Sequence, residues 1–270
     1  MKQFFLILFF LLSLISIKAK NFPFQAGEEL RFDIHYKYGL VMLKAGTANF
    51  KIVKSSYNNK NAFLSTLDFK TTAFFDKIFK MRDTLSSYIT DDLQPLYHIR
   101  SVHEGSYHFT EEVFFNSFSS YYSEVRVKRQ SGEILRFDTI MTSNSKTYDM
   151  LNLILAICSL DYSPSKLGQT ETISTFIGKE KKVVTIHYDG QSIVEKSDTL
   201  KYKTSKISLD FSDSAFNESK SAVEIWMSDD ENRIPIKIRA KLRIGAAEVY
   251  LSSWEKLKYP LSSEIRIPVK

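Results

Sequence analysis

One cysteine, Cys158, stands in 270 residues. Without a second thiol no intramolecular disulfide is possible, so the core alone holds the fold, even in an oxidising compartment. Nine glycines leave little room for glycine-rich phosphate loops, and neither a P-loop nor a dinucleotide fingerprint occurs. A G-x-S-x-G nucleophile elbow and an H-E-x-x-H zinc helix are missing too. Past the first 19 residues no apolar run approaches the roughly 20 residues of a bilayer-spanning helix. Neither sign of charge dominates, since 37 Lys and Arg face 31 Asp and Glu for a formal +6. So mild an excess does not mark a nucleic-acid binder.

The chain opens on an export signal. Lys2, the apolar run over residues 4–17 and the small Ala19 follow the order of charged start, apolar stretch and small closing residue in a cleavable signal peptide. The run is shorter than a membrane span. Cleavage is expected after Ala19, leaving residues 20–270 as a single β-rich domain and lowering the formal charge from +6 to +4 with the loss of Lys2 and Lys18. No cysteine sits at the cleavage point to take a lipid, so the expected product is a periplasmic protein and not a lipoprotein. Secretion is the second choice. No further transmembrane segment, nucleic-acid partner or cofactor is expected.

Alternation dominates the remainder. Leu30, Phe32, Ile34, Tyr36 and Tyr38 share one face of a strand whose other face carries Arg31, Asp33, His35 and Lys37, until Gly39 ends it. Further strands are predicted over 45–53, 62–71, 84–90, 96–104, 107–115, 121–128 and 133–139, and again over 170–176, 182–188, 195–204, 223–227, 234–244, 247–254 and 264–269. The polar run 55–61, Asp91-Asp92, Gly105-Ser106 and Ser131-Gly132 supply turn chemistry between strands. One segment, 148–160, is helical and apolar over most of its circumference, with Ser145 or Thr147 as candidate cap and a weakly polar stripe of Asn152, Ala156 and Ser159. The fold class expected is mostly β: a large curved antiparallel sheet, as a β-sandwich or open barrel, with one buried helix near 148–160. The 21 Phe and 14 Tyr suit strands and apolar pockets alike.

Two surfaces are candidate contacts. Phe74, Phe75, Ile78 and Phe79 fall at helical spacing with Asp76, Lys77 and Lys80 between them, as a lid touching an apolar ligand or a helix docked on the core. Arg233, Lys237, Arg239, Lys241 and Arg243 lie opposite the apolar series from Ile234 to Ile244, as a face for an anionic surface or a solvated edge. Catalytic candidates are thin, and none is assigned. His98, His103 and His108 have odd spacings that alternate faces, and a hairpin at Gly105-Ser106 brings only His103 opposite His108, short of a metal set. His35 and His187 lie on polar strand faces, and Cys158 reads as a core thiol. Asp91-Asp92, Glu111-Glu112 and Asp229-Asp230 read as turn or strand-end carboxylates.

The series Phe24-Gln25-Ala26-Gly27-Glu28-Glu29-Leu30, Tyr36, Ala45-Gly46, Asp83, Pro95, Glu104, Tyr148-Asp149-Met150-Leu151, Val223-Glu224-Ile225-Trp226, Ser228-Asp229-Asp230 and Ile234-Pro235-Ile236 resembles the exported bacterial family catalogued as domain of unknown function 3108. The likeness spans nearly the whole mature chain. It implies an envelope protein of diderm bacteria with a β-rich fold, and it brings no activity or catalytic residues. The function expected is non-enzymatic binding or carriage of a lipid or other apolar small molecule. Alternatives are an assembly factor contacting other envelope proteins, and a wall or glycan hydrolase using Glu104, Asp229 or a histidine.

Overall fold

Alternating burial pairs almost every strand with its sequence neighbour, so the chain builds one sheet from end to end. The computed structural model describes residues 24–211 and 222–268; residues 1–19, expected to be a signal peptide, lie outside them. The strands are β1 (Glu29–Tyr38), β2 (Val41–Tyr57), β3 (Lys60–Thr71), β4 (Arg82–Ile89), β5 (Pro95–Glu104), β6 (Tyr107–Phe118), β7 (Ser123–Ser131) and β8 (Ile134–Ser143). After them come β9 (Thr147–Tyr148), β10 (Thr170–Ile177), β11 (Glu180–Ser197), β12 (Leu200–Phe211), β13 (Val223–Ser228), β14 (Pro235–Lys241), β15 (Ala246–Glu255) and β16 (Glu264–Arg266). Their order in the sheet is β8-β7-β6-β5-β4-β3-β2-β1-β15-β14-β13-β12-β11-β10-β9, with β16 added to β12. Every pairing is antiparallel except the short β9–β10 contact. A meander of this kind needs only hairpin turns. At β2–β3, Asn58 and Asn59 both have positive φ, 49° and 63°, the geometry that matches strand twist. That two-residue turn is tighter than the broad turn expected over 55–61.

The sheet curls because bulges interrupt its registers, at Arg31/Phe32 and Ile34/His35 on β1, at Tyr88/Ile89 on β4 and at Tyr188/Gly190 on β11. Its two ends then meet across a seam of hydroxyls. Ser123 Oγ donates to the Ser145 carbonyl at 3.0 Å and accepts from the Thr147 amide at 3.1 Å. Ser145 Oγ lies 2.9 Å from Ser143 Oγ and 3.2 Å from Ser174 Oγ. Phe176 of β10 inserts among Val113, Val125 and Val127 of β6 and β7. The result is a nearly closed barrel.

Two short helices complete it. α1 (Ala73–Asp76) is capped by Thr72 and joins β3 to β4; it is four residues long, where helical spacing ran on to Phe79. Asp76 is held by Thr71 Oγ1 and by both terminal nitrogens of Arg82, which fixes this connection. α2 (Met150–Cys158) fills the barrel. Its cap is Asp149, not Ser145 or Thr147, because Thr147 and Tyr148 are taken up by β9. The stripe of Asn152, Ala156 and Ser159 is buried, and the residue that α2 exposes is Ile154. Asn152 Nδ2 donates to Asp149 Oδ2 and Ser159 Oγ to the Leu155 carbonyl, so the polar donors of the stripe are satisfied within the helix and its cap. Leu151 and Leu155 are fully buried, each stabilising the fold by about 1.5–3 kcal/mol. No helix among the described residues is long and apolar enough to cross a membrane.

Candidate functional site

The interior of the barrel divides into two wings. Between α2 and β1 to β3 it is apolar. Leu30, Phe32 and Ile34 of β1 stand beside Phe50 and Ala48 of β2, which stand beside Leu67 and Phe69 of β3. With Pro235, Ile238, Val249 and, from α2, Leu151, Ile154, Leu155 and Cys158, they enclose a cavity of about 230 Å³ lined by apolar residues alone. Ile154, the exposed residue of α2, lines it as well, so the cavity reaches the surface along the helix. An engineered apolar cavity of about 150 Å³ stays dry and takes benzene; this one is larger and natural. Two hollows on the outer face are somewhat bigger, about 340 and 330 Å³, but are lined mainly by polar groups such as Asp68, Lys70 and Arg82, or Asp33, His35 and Glu195.

The other wing, under β4 to β8, carries polar and charged groups. Arg129 Nε donates to Glu111 Oε2 at 2.8 Å, and the guanidinium lies 4.4 Å from the Phe109 ring and 5.2 Å from that of Phe137, which replaces lost hydration with cation–π attraction. Asp83 accepts from the His103 amide at 2.9 Å. Glu104 is raised above the ordinary carboxylate range by burial and by the neighbouring charge of Asp83.

Between the wings lies a buried group with the composition of a nucleophilic triad. Ser87 Oγ is 2.7 Å from His98 Nδ1 and donates to Asp149 Oδ1 at 2.8 Å. The direction of donation is wrong for serine activation. Ser87 has one hydroxyl proton and gives it to Asp149, so it accepts from His98 Nδ1–H, whereas an activated serine gives its proton to the histidine. Burial lowers the His98 pKa and keeps the ring neutral. Asp149 Oδ1 also accepts the Leu151 and Asn152 amides, both at 3.0 Å, so the trio anchors the start of α2 to β4 and β5.

The sequence-predicted sites lie elsewhere. Phe74, Ile78 and Phe79 are exposed and Phe75 is half-buried, and none of the four lines the cavity. Phe79 leans on Gly105 in the β5–β6 turn. Of the basic series, Arg233 sits in a turn and donates to the Leu160 carbonyl at 2.8 Å, leaving the face. Lys237 and Arg239 lie near Glu248, each 3.7 Å away, and Arg239 lies 3.9 Å from Glu224. Lys241 closes β14 and Arg243 is exposed in the following turn. The strand predicted to reach Ile244 stops at Lys241, where the Leu242 amide turns back to the Gly245 carbonyl. His103 and His108 face each other across the β5–β6 hairpin, 5.1 Å between rings; His98 is buried. His187 pairs with Asp210 at 2.9 Å, and His35 packs edge-on against Tyr250. Asp229 accepts from Ser205 and Gln191 at the opposite end of the strands from Glu104, so these carboxylates do not converge. Among the described residues no group of three or more His, Cys, Asp or Glu is placed to hold a metal.

These features define a β-barrel-like protein with an internal helix and an apolar cavity beside it. The family model described as "Protein of unknown function (DUF3108)" matches residues 31–252, and the chain belongs to that family. Among solved structures it is similar to the crystal structure of a beta-barrel-like protein of domain of unknown function DUF1849 from Brucella abortus. The TM-score is 0.55 at 10% identity, covering 86% of this chain and 98% of that one; the likeness is one of fold. No curated protein matches the chain.

Proposed function

We propose that the protein is an exported, periplasmic binding or carrier protein that shelters a lipid-like molecule, one acyl chain or small apolar ring, beside α2. The observation that carries this is the cavity of about 230 Å³, lined by apolar residues alone and reaching the surface at Ile154. Close packing is the norm in protein interiors, and an unfilled apolar space forgoes dispersion contacts that a ligand supplies. The barrel fold supports the reading, since small barrels of similar build enclose ligands.

Protein purified from its own cell envelope is expected to show a lipid adduct in native mass spectrometry. Ala48→Leu puts three carbons into the cavity without touching its mouth. Each buried CH₂ of a ligand is worth about 0.8 kcal/mol, so displacing two weakens a dansyl-labelled fatty acid roughly tenfold. A clean mass together with unchanged probe binding by the variant would overturn the proposal.

A further inference from the structure

Because β1 to β8 form a meander and β13 to β15 continue it, several connections share one end of the barrel, and three of them stand side by side there: β1–β2, β3–β4 through α1, and β14–β15. Each presents apolar side chains to solvent. Leu40 at the β1–β2 tip is 103% exposed, Ile78 69% and Ile244 67%. Val41, Leu43 and Phe74 are exposed beside them. Nine of the 21 large apolar side chains exposed among the described residues lie on these three connections. Such clustering is unusual for a surface that meets only water.

The loops are also tied to one another. Tyr36 Oη donates to the Ile244 carbonyl at 3.0 Å, and the Thr72 amide to the Ala45 carbonyl at 2.9 Å. Gly245, at φ +75°, lets the β14–β15 turn seat on β1, where a Cβ would come 2.4 Å from the Lys37 carbonyl. These contacts seat the bases of the loops on the barrel, with Leu40, Ile78 and Ile244 beyond them in solvent.

Charge names the partner. Segments 37–44, 70–82 and 241–246 contain eight Lys or Arg and a single carboxylate, Asp76, which Arg82 holds; Lys44 pairs with Asp33 and Lys37 lies 3.7 Å from Glu248 on the strands, and Lys77, Lys80 and Arg243 stand exposed at the rim. Apolar tips ringed by cations suit an anionic lipid surface, into whose headgroup boundary the tips insert while the cations meet phosphates. We propose that this rim docks the protein on an anionic bilayer. The proposal does not depend on what the cavity binds.

The test is sedimentation of the purified protein with vesicles of phosphatidylglycerol and phosphatidylcholine in equal parts, and with phosphatidylcholine alone. Wild type is expected to sediment with the anionic vesicles and less with the neutral ones. Leu40→Ser, Ile78→Ser and Ile244→Ser together remove three exposed side chains with little cost to folding and lower partitioning at least about tenfold. Lys77→Gln, Lys80→Gln and Arg243→Gln together lower it on anionic vesicles, about fivefold for each charge in contact with the surface, and leave neutral vesicles unaffected. Leu40→Trp shifts its emission to the blue on binding. The proposal is overturned if wild type stays in the supernatant with both vesicles, or if the serine variant sediments as wild type does. Crosslinking of the same tips to an envelope protein in cells, with no vesicle binding, assigns the rim to a protein partner and likewise overturns it.

Discussion

Removing the Asp149 carboxylate tests whether the Ser87–His98–Asp149 group is there to hold α2. In Asp149→Ala, the Leu151 and Asn152 amides lose the acceptor at 3.0 Å, the Asn152 side-chain amide loses one at 2.6 Å and the Ser87 hydroxyl one at 2.8 Å. Loss of an N-cap costs about 1–2 kcal/mol. Each buried donor left without a partner costs about 1–3 kcal/mol more, and Asp149, Asn152 and Ser87 are all fully buried. Partial relaxation places the total near 5 kcal/mol, comparable with the whole stability of many domains. With an m-value of about 2.5 kcal/mol/M in urea, the midpoint falls by about 2 M. Asp149→Asn keeps Oδ1 for the two helix amides but sets its own NH₂ against that of Asn152, so a loss of about half that size is expected. Ser87→Ala removes a donor from a carboxylate that keeps three others, and the His98 Nδ1–H that Ser87 accepted from lies 3.4 Å from Asp149 Oδ1 and can turn to it, so this variant costs least. Equilibrium urea unfolding, followed by far-UV circular dichroism, ranks the three. A midpoint for Asp149→Ala within about 0.5 M of wild type would refute the anchoring argument, and a ranking in which Ser87→Ala is the most damaging would refute the direction of donation.

Two further outcomes follow from burial. Glu28 is almost wholly buried, and desolvation pushes its pKa up to about 7 from 4.5. The folded state thus holds a proton that the unfolded state gives up, and stability falls as pH rises from 4.5 through 7, by roughly 3 kcal/mol in all; Glu28→Gln should flatten urea midpoints measured between pH 5 and 8 and be the more stable form at pH 8, and a parallel decline in both proteins would contradict this. Cys158 is buried and its thiol is pushed up to about 12, so an aromatic disulfide reagent at pH 8 should label it only as fast as the protein opens, whereas prompt labelling of native protein would place the thiol at the surface.

Most strands were legible because one face of each is buried, and burial on one face writes itself into sequence as period two. β1 is plain in Leu30, Phe32 and Ile34, and the β5–β6 hairpin in the opposition of His103 to His108. α2 was legible from the length of its apolar run, but its start was not, because Thr147 and Tyr148 pair with Ser174 and Thr175, contacts remote in sequence. Closure of the barrel was invisible for the same reason. Its seam joins Ser123, Ser143, Ser145 and Ser174, and serines scattered through a chain have no pattern that distinguishes a seam from a turn. The basic series on β14 looked unpartnered because Glu224 and Glu248 reach Lys237 and Arg239 from β13 and β15, which is register information.

The site was harder to read than the fold because periodicity reports that a side chain is apolar, not which neighbour it meets. The same spacing that suggested Phe74, Ile78 and Phe79 would cover a ligand is satisfied by side chains that face water. What separates the two cases is the connection around them. α1 is only four residues long and is pinned by Arg82 and Thr71 to its own end of β3 and β4, so it cannot fold back over α2. The cavity, by contrast, draws on β1, β2, β3, β14, β15 and α2; no strand has more than three residues in it, and α2 has four. An apolar space assembled so thinly from so many elements depends on the curvature of the whole sheet. Its volume should therefore respond to changes at the bulges that set that curvature, even where the substituted residue never touches the space.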